Sequence, residues 1–100
     1  MTDRELLELA AKAAGYKKRF VHYLGWNPLI NDGDALRLAV RCDIAFMLET
    51  ERASATTNTG QRFTEWLGTD PYAATRRAIV RAAAEIGKAH SAASIGRNMP

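Results

Sequence analysis

Cys42, His22 and His90 are the side chains of this sequence that could serve nucleophilic or metal chemistry. A nucleophile needs a base and an orienting acid that converge on it, and a metal ion needs several ligands. The sequence contains no G-x-S-x-G, phosphate-binding glycine loop or H-E-x-x-H motif. We therefore interpret Cys42 as a small buried residue at a helix end. We expect no enzyme activity, metal or cofactor, since an active site would require a pocket that joins His22, Cys42 and a carboxylate.

Asp32 and Asp34 lie close together in the stretch "GWNPLINDGDALRLAV", residues 25–40. The spacing D-x-D opens a calcium-binding EF-hand loop, but Leu36, Arg37 and Asp43 stand where that loop needs a ligand, a glycine and a glutamate. Aspartate is also a common helix N-cap, and the residues that follow have helical spacing. We therefore predict that Asp32 or Asp34 caps a helix over residues 34–41.

Two clusters of basic residues could bind a partner. The first combines Lys17, Lys18 and Arg19 with the neighbouring aromatic residues Phe20 and Tyr23. The second is a stripe along the last helix. Basic groups interleaved with aromatic residues suit phosphate contacts and base stacking, and a solvated charged face is the alternative interpretation. The candidate partner-binding residues are Arg76, Arg77, Arg81, Lys17, Lys18, Arg19 and Tyr23, followed by the segments 16–23 and 53–62.

Length and composition indicate one folded domain. The chain has 100 residues, 25% of them charged and 47% hydrophobic, which is ordinary globular usage. A single cysteine excludes an internal disulfide. The net charge of +3 permits nucleic acid or an acidic protein as a partner without selecting either. The amino-terminal residues lack a basic start and an apolar block, so we expect no signal peptide and a cytosolic protein.

The amino-terminal half predicts two helices and one weak strand. Thr2 and Glu5 have capping-box spacing, and apolar residues then recur at helical intervals up to Gly15, which predicts a helix over residues 3–14. Aromatic and β-branched residues predict a short strand or extended segment over residues 20–24. The helix over 34–41 follows the turn that Pro28 introduces.

The carboxyl-terminal half predicts a hairpin and a long helix. Alternating apolar residues predict strands near residues 44–48 and 63–67, joined by a long mobile loop over about 51–62. Asp70 as N-cap, Pro71 at the first helical position and an alanine-rich run predict the last helix. Gly87 should weaken that helix, and residues 91–100 should fray. Trp26 and Trp66 are interpreted as core residues.

Together these elements predict an α+β fold, in which two or three antiparallel strands pack against three helices in the order α-(β)-α-β-β-α.

Two blocks of the sequence carry a family resemblance. "WNPLINDGDALRLAV", a two-stranded hairpin and "DPYAATRRAIVRAAAEIGKA" together resemble small proteins encoded in phages and prophages of proteobacteria, including those with an α/β/α phage sandwich domain. The resemblance covers about residues 24–90. Its motifs carry no known catalytic residues.

The resemblance implies a viral accessory protein that acts in the host bacterial cytoplasm by binding a host or phage macromolecule. One class of such proteins inhibits host immunity, and anti-CRISPR proteins belong to it. We therefore expect a stoichiometric inhibitor that binds a host protein complex such as the CRISPR surveillance complex. The alternative is a basic accessory protein that binds nucleic acid.

Overall fold

Four helices and one three-stranded sheet make up the part of the chain that the structure describes. The structure is a computed structural model that describes the backbone of residues 1–98 and the side chains of residues 1–19 and 21–90. The class is α+β, and the strand number agrees with the prediction. In chain order the elements are α1 (Asp3–Ala14), α2 (Lys18–Leu24), α3 (Asp32–Arg41), β1 (Ala45–Glu49), β2 (Arg52–Thr56), β3 (Arg62–Trp66) and α4 (Pro71–Asn98).

Helix α1 begins and ends at the predicted residues. The Glu5 amide donates to the Thr2 hydroxyl at 3.2 Å, which satisfies an amide that the first turn leaves without a partner. Gly15 ends the helix in the left-handed conformation, with a φ of 77°. Both signals were readable in the sequence because they depend on residues within one helical turn.

Helix α2 contradicts the predicted strand over residues 20–24. Tyr16 packs edge-on against buried Trp26, with 5.5 Å between ring centroids, and so fixes the chain at the entrance to this helix. Gly25 then ends the helix in the left-handed conformation, with a φ of 60°. Aromatic and β-branched residues favour strands only weakly, and here tertiary packing decides the conformation.

Helix α3 begins two residues earlier than predicted, and a different residue caps it. Asn31 is the N-cap, and its side-chain oxygen accepts a hydrogen bond from the Asp34 amide at 2.9 Å. The prediction of Asp32 or Asp34 as the cap was therefore wrong. Both aspartates instead lie in the first turn, where negative charge is stabilised by the helix dipole.

The sheet is an antiparallel meander in the order β1-β2-β3. The predicted long loop over residues 51–62 was wrong, because its first half is the central strand β2. Ala53 and Ala55 are fully buried beneath α4. Small side chains at these positions leave room for the helix, which is why this strand lacks the bulky residues that usually mark one.

Helices α1 and α4 pack through small side chains and form the centre of the core. Gly87 of α4 lies so close to α1 that a Cβ at this position would stand 1.9 Å from the Leu9 carbonyl oxygen. The buried face of α4 is rich in alanine, and α1 contributes three alanines of its own. Asp70 caps α4 as predicted, since its carboxylate accepts from the Ala73 amide at 3.1 Å. The fraying expected over residues 91–100 stays a prediction; α4 extends to Asn98, and residues 99–100 lie outside the described residues.

Candidate partner-binding surface

Arg76, the first arginine of the predicted stripe, joins α4 to the segment before α3. Its Nε donates to the Leu29 carbonyl at 2.8 Å, and its Nη1 donates to the Asp32 carboxylate at 2.7 Å. Only 15% of the Arg76 side chain is exposed. Its hydrogen-bonding groups are thus directed inward and hold two elements together.

Arg77 and Arg81 also bind carboxylates of the same chain. Arg77 donates to Asp3 of α1 at 3.0 Å. Arg81 pairs with Glu65 and donates to the Thr64 carbonyl at 3.1 Å, and its guanidinium carbon lies 5.4 Å from the Phe63 ring centroid. The three arginines therefore connect α4 to three different parts of the fold.

Lys17, Lys18 and Arg19, called here the basic segment, differ from the arginines of α4. All three side chains are exposed, and none makes an ion pair or hydrogen bond with another residue that the structure describes. Tyr23 follows Arg19 by four residues, so the two share a face of α2, and Tyr23 is 87% exposed. The structure thus leaves the basic segment and Tyr23 available to solvent; the Phe20 side chain lies outside the described residues.

The placement of the basic segment opposes the electrostatics of its own helix. Lys17 is the N-cap of α2 without a side-chain cap bond, and the first turn carries no acidic residue. The amino-terminal end of a helix carries a partial positive charge, so basic side chains there are unfavourable. A local conflict of this kind is typical of a functional position rather than a stabilising one.

Arg41 adds a further positive charge at the entrance to α2. Its guanidinium carbon lies 5.1 Å from the Tyr16 ring centroid, and its Nε donates to the Ala14 carbonyl. These contacts bring the end of α3 beside the residue that precedes Lys17. The positive charge of this corner therefore comes from two elements that are distant in sequence.

The segment 53–62 offers less contact surface than the sequence suggested. Ala53, Ser54 and Ala55 are buried in β2, and Arg62 lies 3.7 Å from the Glu49 carboxylate. Trp66 corrects a second expectation, because it is 72% exposed on β3 rather than buried. The Arg52 guanidinium carbon lies 5.9 Å from the centroid of the Trp66 ring.

The structure shows the surroundings of Cys42 and His22, the side chains considered for nucleophilic or metal chemistry. Burial raises the pKa of the Cys42 thiol, and the nearby charge of Arg41 opposes that shift without overcoming it. A raised pKa lowers the thiolate fraction and hence the nucleophilicity. His22 is exposed on α2. Among residues 1–19 and 21–90 no group of three or more histidine, cysteine or acidic side chains is placed to hold a metal ion.

The two aspartates of the possible calcium loop are held by neighbouring donors. Asp34 accepts from the Asn27 amide at 3.0 Å and from Arg37 at 2.9 Å, while Asp32 accepts from Arg76. These bonds use the carboxylates to close the turn onto α3 and α4. Their role in the structure is therefore architectural, which agrees with the interpretation of this stretch as the start of a helix.

No known family model, curated protein or solved structure matches this chain. Within the described part of the chain, no helix combines the length and apolar character needed to cross a membrane.

Proposed function

We propose that this protein acts by binding, and that it inhibits a host defence complex by docking on it through the basic segment and Tyr23. The resemblance to small phage proteins suggests CRISPR machinery as the partner and the host cytoplasm as the place of action. Arg76, Arg77 and Arg81 then serve as supports that orient the elements around this surface. Partner binding by these three arginines stays a prediction. A partner that bound them would have to break their hydrogen bonds and ion pairs within the chain, which costs free energy.

One observation supports this proposal above the others: the uneven pairing of the basic residues. Seven arginines lie within 4.0 Å of a carboxylate, as the ion pairs of Arg4, Arg37, Arg52, Arg62, Arg76, Arg77 and Arg81 show. Lys17, Lys18 and Arg19 have no such partner among the described residues, and Arg41 lies beside them. Four of the basic side chains without a carboxylate partner, those of Lys17, Lys18, Arg19 and Arg41, thus lie at one corner, where their charge can attract an acidic surface; Lys12 and Lys88 are the others among residues 1–19 and 21–90.

A protein partner fits this corner better than a phosphate backbone does. Tyr23 and Leu24 are 87% and 66% exposed, and they add apolar area next to the charges. Aromatic residues and arginine are enriched at protein interfaces. The net charge of +3 is modest for a protein that binds nucleic acid through many phosphate contacts.

The direct test is a pull-down of the tagged protein from a host lysate that carries an active CRISPR system. One half of each sample is treated with nuclease before capture. The proposal expects a protein complex captured in fixed stoichiometry in both halves. Arg19→Glu should reduce capture by about tenfold, since a charge at an interface contributes to association.

Arg4→Glu is the matched control. Arg4 and Arg19 are both exposed arginines at the second position of their helices, so both variants change the charge equally and place an acid where the helix dipole favours it. Arg4→Glu also removes the exposed ion pair with Glu8, which contributes only a few tenths of a kcal/mol. Neither variant should therefore destabilise the fold by more than a few tenths of a kcal/mol. Equal capture by Arg19→Glu and the wild type would contradict the proposed surface.

Nucleic-acid binding is the second candidate, because an exposed tyrosine beside three basic side chains also suits stacking and phosphate contact. This function requires that capture disappear after nuclease treatment. It also requires that the affinity of the purified protein for single-stranded DNA fall steeply with salt, with a log-log slope of about −0.7 for each phosphate contacted. A flat salt dependence would exclude it.

A further inference from the structure

The open edge of β1 differs from the edge of β3 at the other side of the sheet. On β3, the Arg81 guanidinium donates to the Thr64 carbonyl, and charged residues Arg62 and Glu65 flank that position. Strand β1 reads Ala-Phe-Met-Leu-Glu, without proline, lysine or a bulge. Proteins usually protect a free edge strand with such devices, because unpaired backbone groups invite another strand.

The hydrogen-bond pattern shows which backbone groups of β1 face outward. The Thr57 amide donates to the Gln61 carbonyl, and the Leu67 amide donates to the Glu51 carbonyl, so odd-numbered residues of β2 bond to β3. Since pairing alternates along an antiparallel ladder, even-numbered residues of β2 bond to β1, where their partners are Ala45, Met47 and Glu49. The backbone groups of Phe46 and Leu48 therefore point to the open edge.

The side chains of Phe46 and Leu48 lie on the sheet face toward α4, yet they are only partly covered. Their register partners Ala55 and Ala53 are buried under the helix, which lies over β2 and β3 more than over β1. Phe46 remains 43% exposed and Leu48 63% exposed. Exposed apolar side chains and free backbone groups thus coincide on the same two residues.

We propose that a second copy of this chain pairs with β1 in antiparallel orientation, so that the two sheets join into one sheet of six strands. A two-fold axis through Met47 places Phe46 of one protomer opposite Leu48 of its partner and the reverse. Each of these pairs exchanges two backbone hydrogen bonds. The two α4 helices then lie on the same face of the joined sheet, with Phe46 and Leu48 of both copies between them.

The charges of the strand fit this register. Glu49 falls opposite Ala45 of the other copy, so the only charged side chain of β1 meets a neutral residue. Glu49 also keeps Arg62 and Arg52 within 3.7 Å and 4.0 Å on its own sheet. A register without facing like charges and with apolar pairs at its centre is self-complementary, as a two-fold interface requires.

Cross-linking tests the register. Met47→Cys places two thiols opposite each other at a pair whose Cα atoms lie about 4.5 Å apart, within the range of about 4.4–6.8 Å that a disulfide spans. Ala45→Cys is the control on the same face, because its copies would lie about 13 Å apart along the strands. Mild oxidation should link Met47→Cys into a dimer while Ala45→Cys and the wild type, whose Cys42 is buried, stay unlinked.

Sedimentation equilibrium measures the association itself and involves no other partner, so its outcome is independent of the proposed defence function. The wild-type mass should rise from 11.0 kDa to about twice that value with concentration. Leu48→Pro removes an outward amide without touching the bonds to β2, and should weaken the dimer about tenfold to a hundredfold. A monomer up to about 1 mM, equal cross-linking of both cysteine variants, or a folded Leu48→Pro with wild-type association would each overturn the proposal.

Discussion

Gly87 is the residue at which sequence reasoning and packing disagree most clearly. A glycine inside a helix costs about 1 kcal/mol relative to alanine, so the sequence indicated a weakened helix end. The structure shows instead that its missing side chain allows α1 to approach, since a Cβ would stand 1.9 Å from the Leu9 carbonyl oxygen. Because that oxygen belongs to the backbone, the contact cannot be relieved by rotating a side chain.

Gly87→Ala should therefore destabilise the protein by about 3 kcal/mol or more, although alanine is the better helix former. Urea denaturation measures the change. Lys88→Ala, at the exposed neighbouring position, serves as the control and should change the free energy of unfolding by less than about 0.5 kcal/mol. A stabilising Gly87→Ala would show that the two helices do not approach as described.

Cys42 gives the stability a specific dependence on alkaline pH. Burial raises the pKa of its thiol above the ordinary value of 9.0. As the pH rises, the thiol of the unfolded state loses its proton first. This ionisation lowers the free energy of the unfolded state while the folded state is still protonated, so the protein becomes less stable. The stability contribution is thus complete below the unfolded pKa and is lost as the pH rises toward the folded one.

Comparison of the wild type with Cys42→Ala isolates this effect. The difference in unfolding free energy between the two proteins should stay constant near neutral pH and shift against the wild type above about pH 9, by at most about 1.4 kcal/mol per pH unit. Denaturant titrations at several pH values provide the measurement. A difference that does not change with pH would contradict the burial of the thiol.

At the scale of elements, local capping signals predicted more than side-chain periodicity did. Thr2, Gly15 and Asp70 marked helix ends correctly, since each acts within one turn. Strand β2 escaped prediction because Ala53 and Ala55 fit under a helix that the sequence cannot place there. Helix α2 was not predicted because it too depends on tertiary packing, here the contact between Tyr16 and Trp26 at its entrance.

Arg76 and Arg77 should differ sharply in their effect on stability, although they are neighbours in the same stripe. Arg76→Ala removes two hydrogen bonds and leaves the Leu29 carbonyl without its donor, which should cost about 2 kcal/mol. Arg77→Ala removes an ion pair whose side chains are 39% and 63% exposed, and should cost less than about 1 kcal/mol.

Thermal or urea unfolding of the two variants checks this contrast, and each variant controls for the helix propensity of the other. Equal losses of unfolding free energy in the two variants would mean that the burial of Arg76 does not make it more important for stability than Arg77. A large loss of partner binding in Arg77→Ala without loss of stability would restore the stripe as a contact surface.

For the whole molecule, the sequence located both basic clusters but could not separate their roles. In the sequence, Arg76, Arg77 and Arg81 have the residue type and the helical spacing that an exposed binding stripe would have. Their carboxylate partners Asp32, Asp3 and Glu65 lie in other elements, so the pairing appears only after the chain has folded. Pairing within the fold therefore shifts the candidate surface toward Lys17, Lys18, Arg19 and Tyr23.

The most direct test of the proposed function is the plaquing efficiency of a phage that the host's CRISPR system targets, in cells that express this protein. The wild type and Arg4→Glu should restore plaquing, whereas the triple variant Lys17→Glu, Lys18→Glu, Arg19→Glu should not, at equal protein levels and with an unfolding free energy at least as large as that of the wild type. The loss should be at least about tenfold, since three interface charges are reversed. Full restoration by the triple variant, or no restoration by the wild type, would contradict the account.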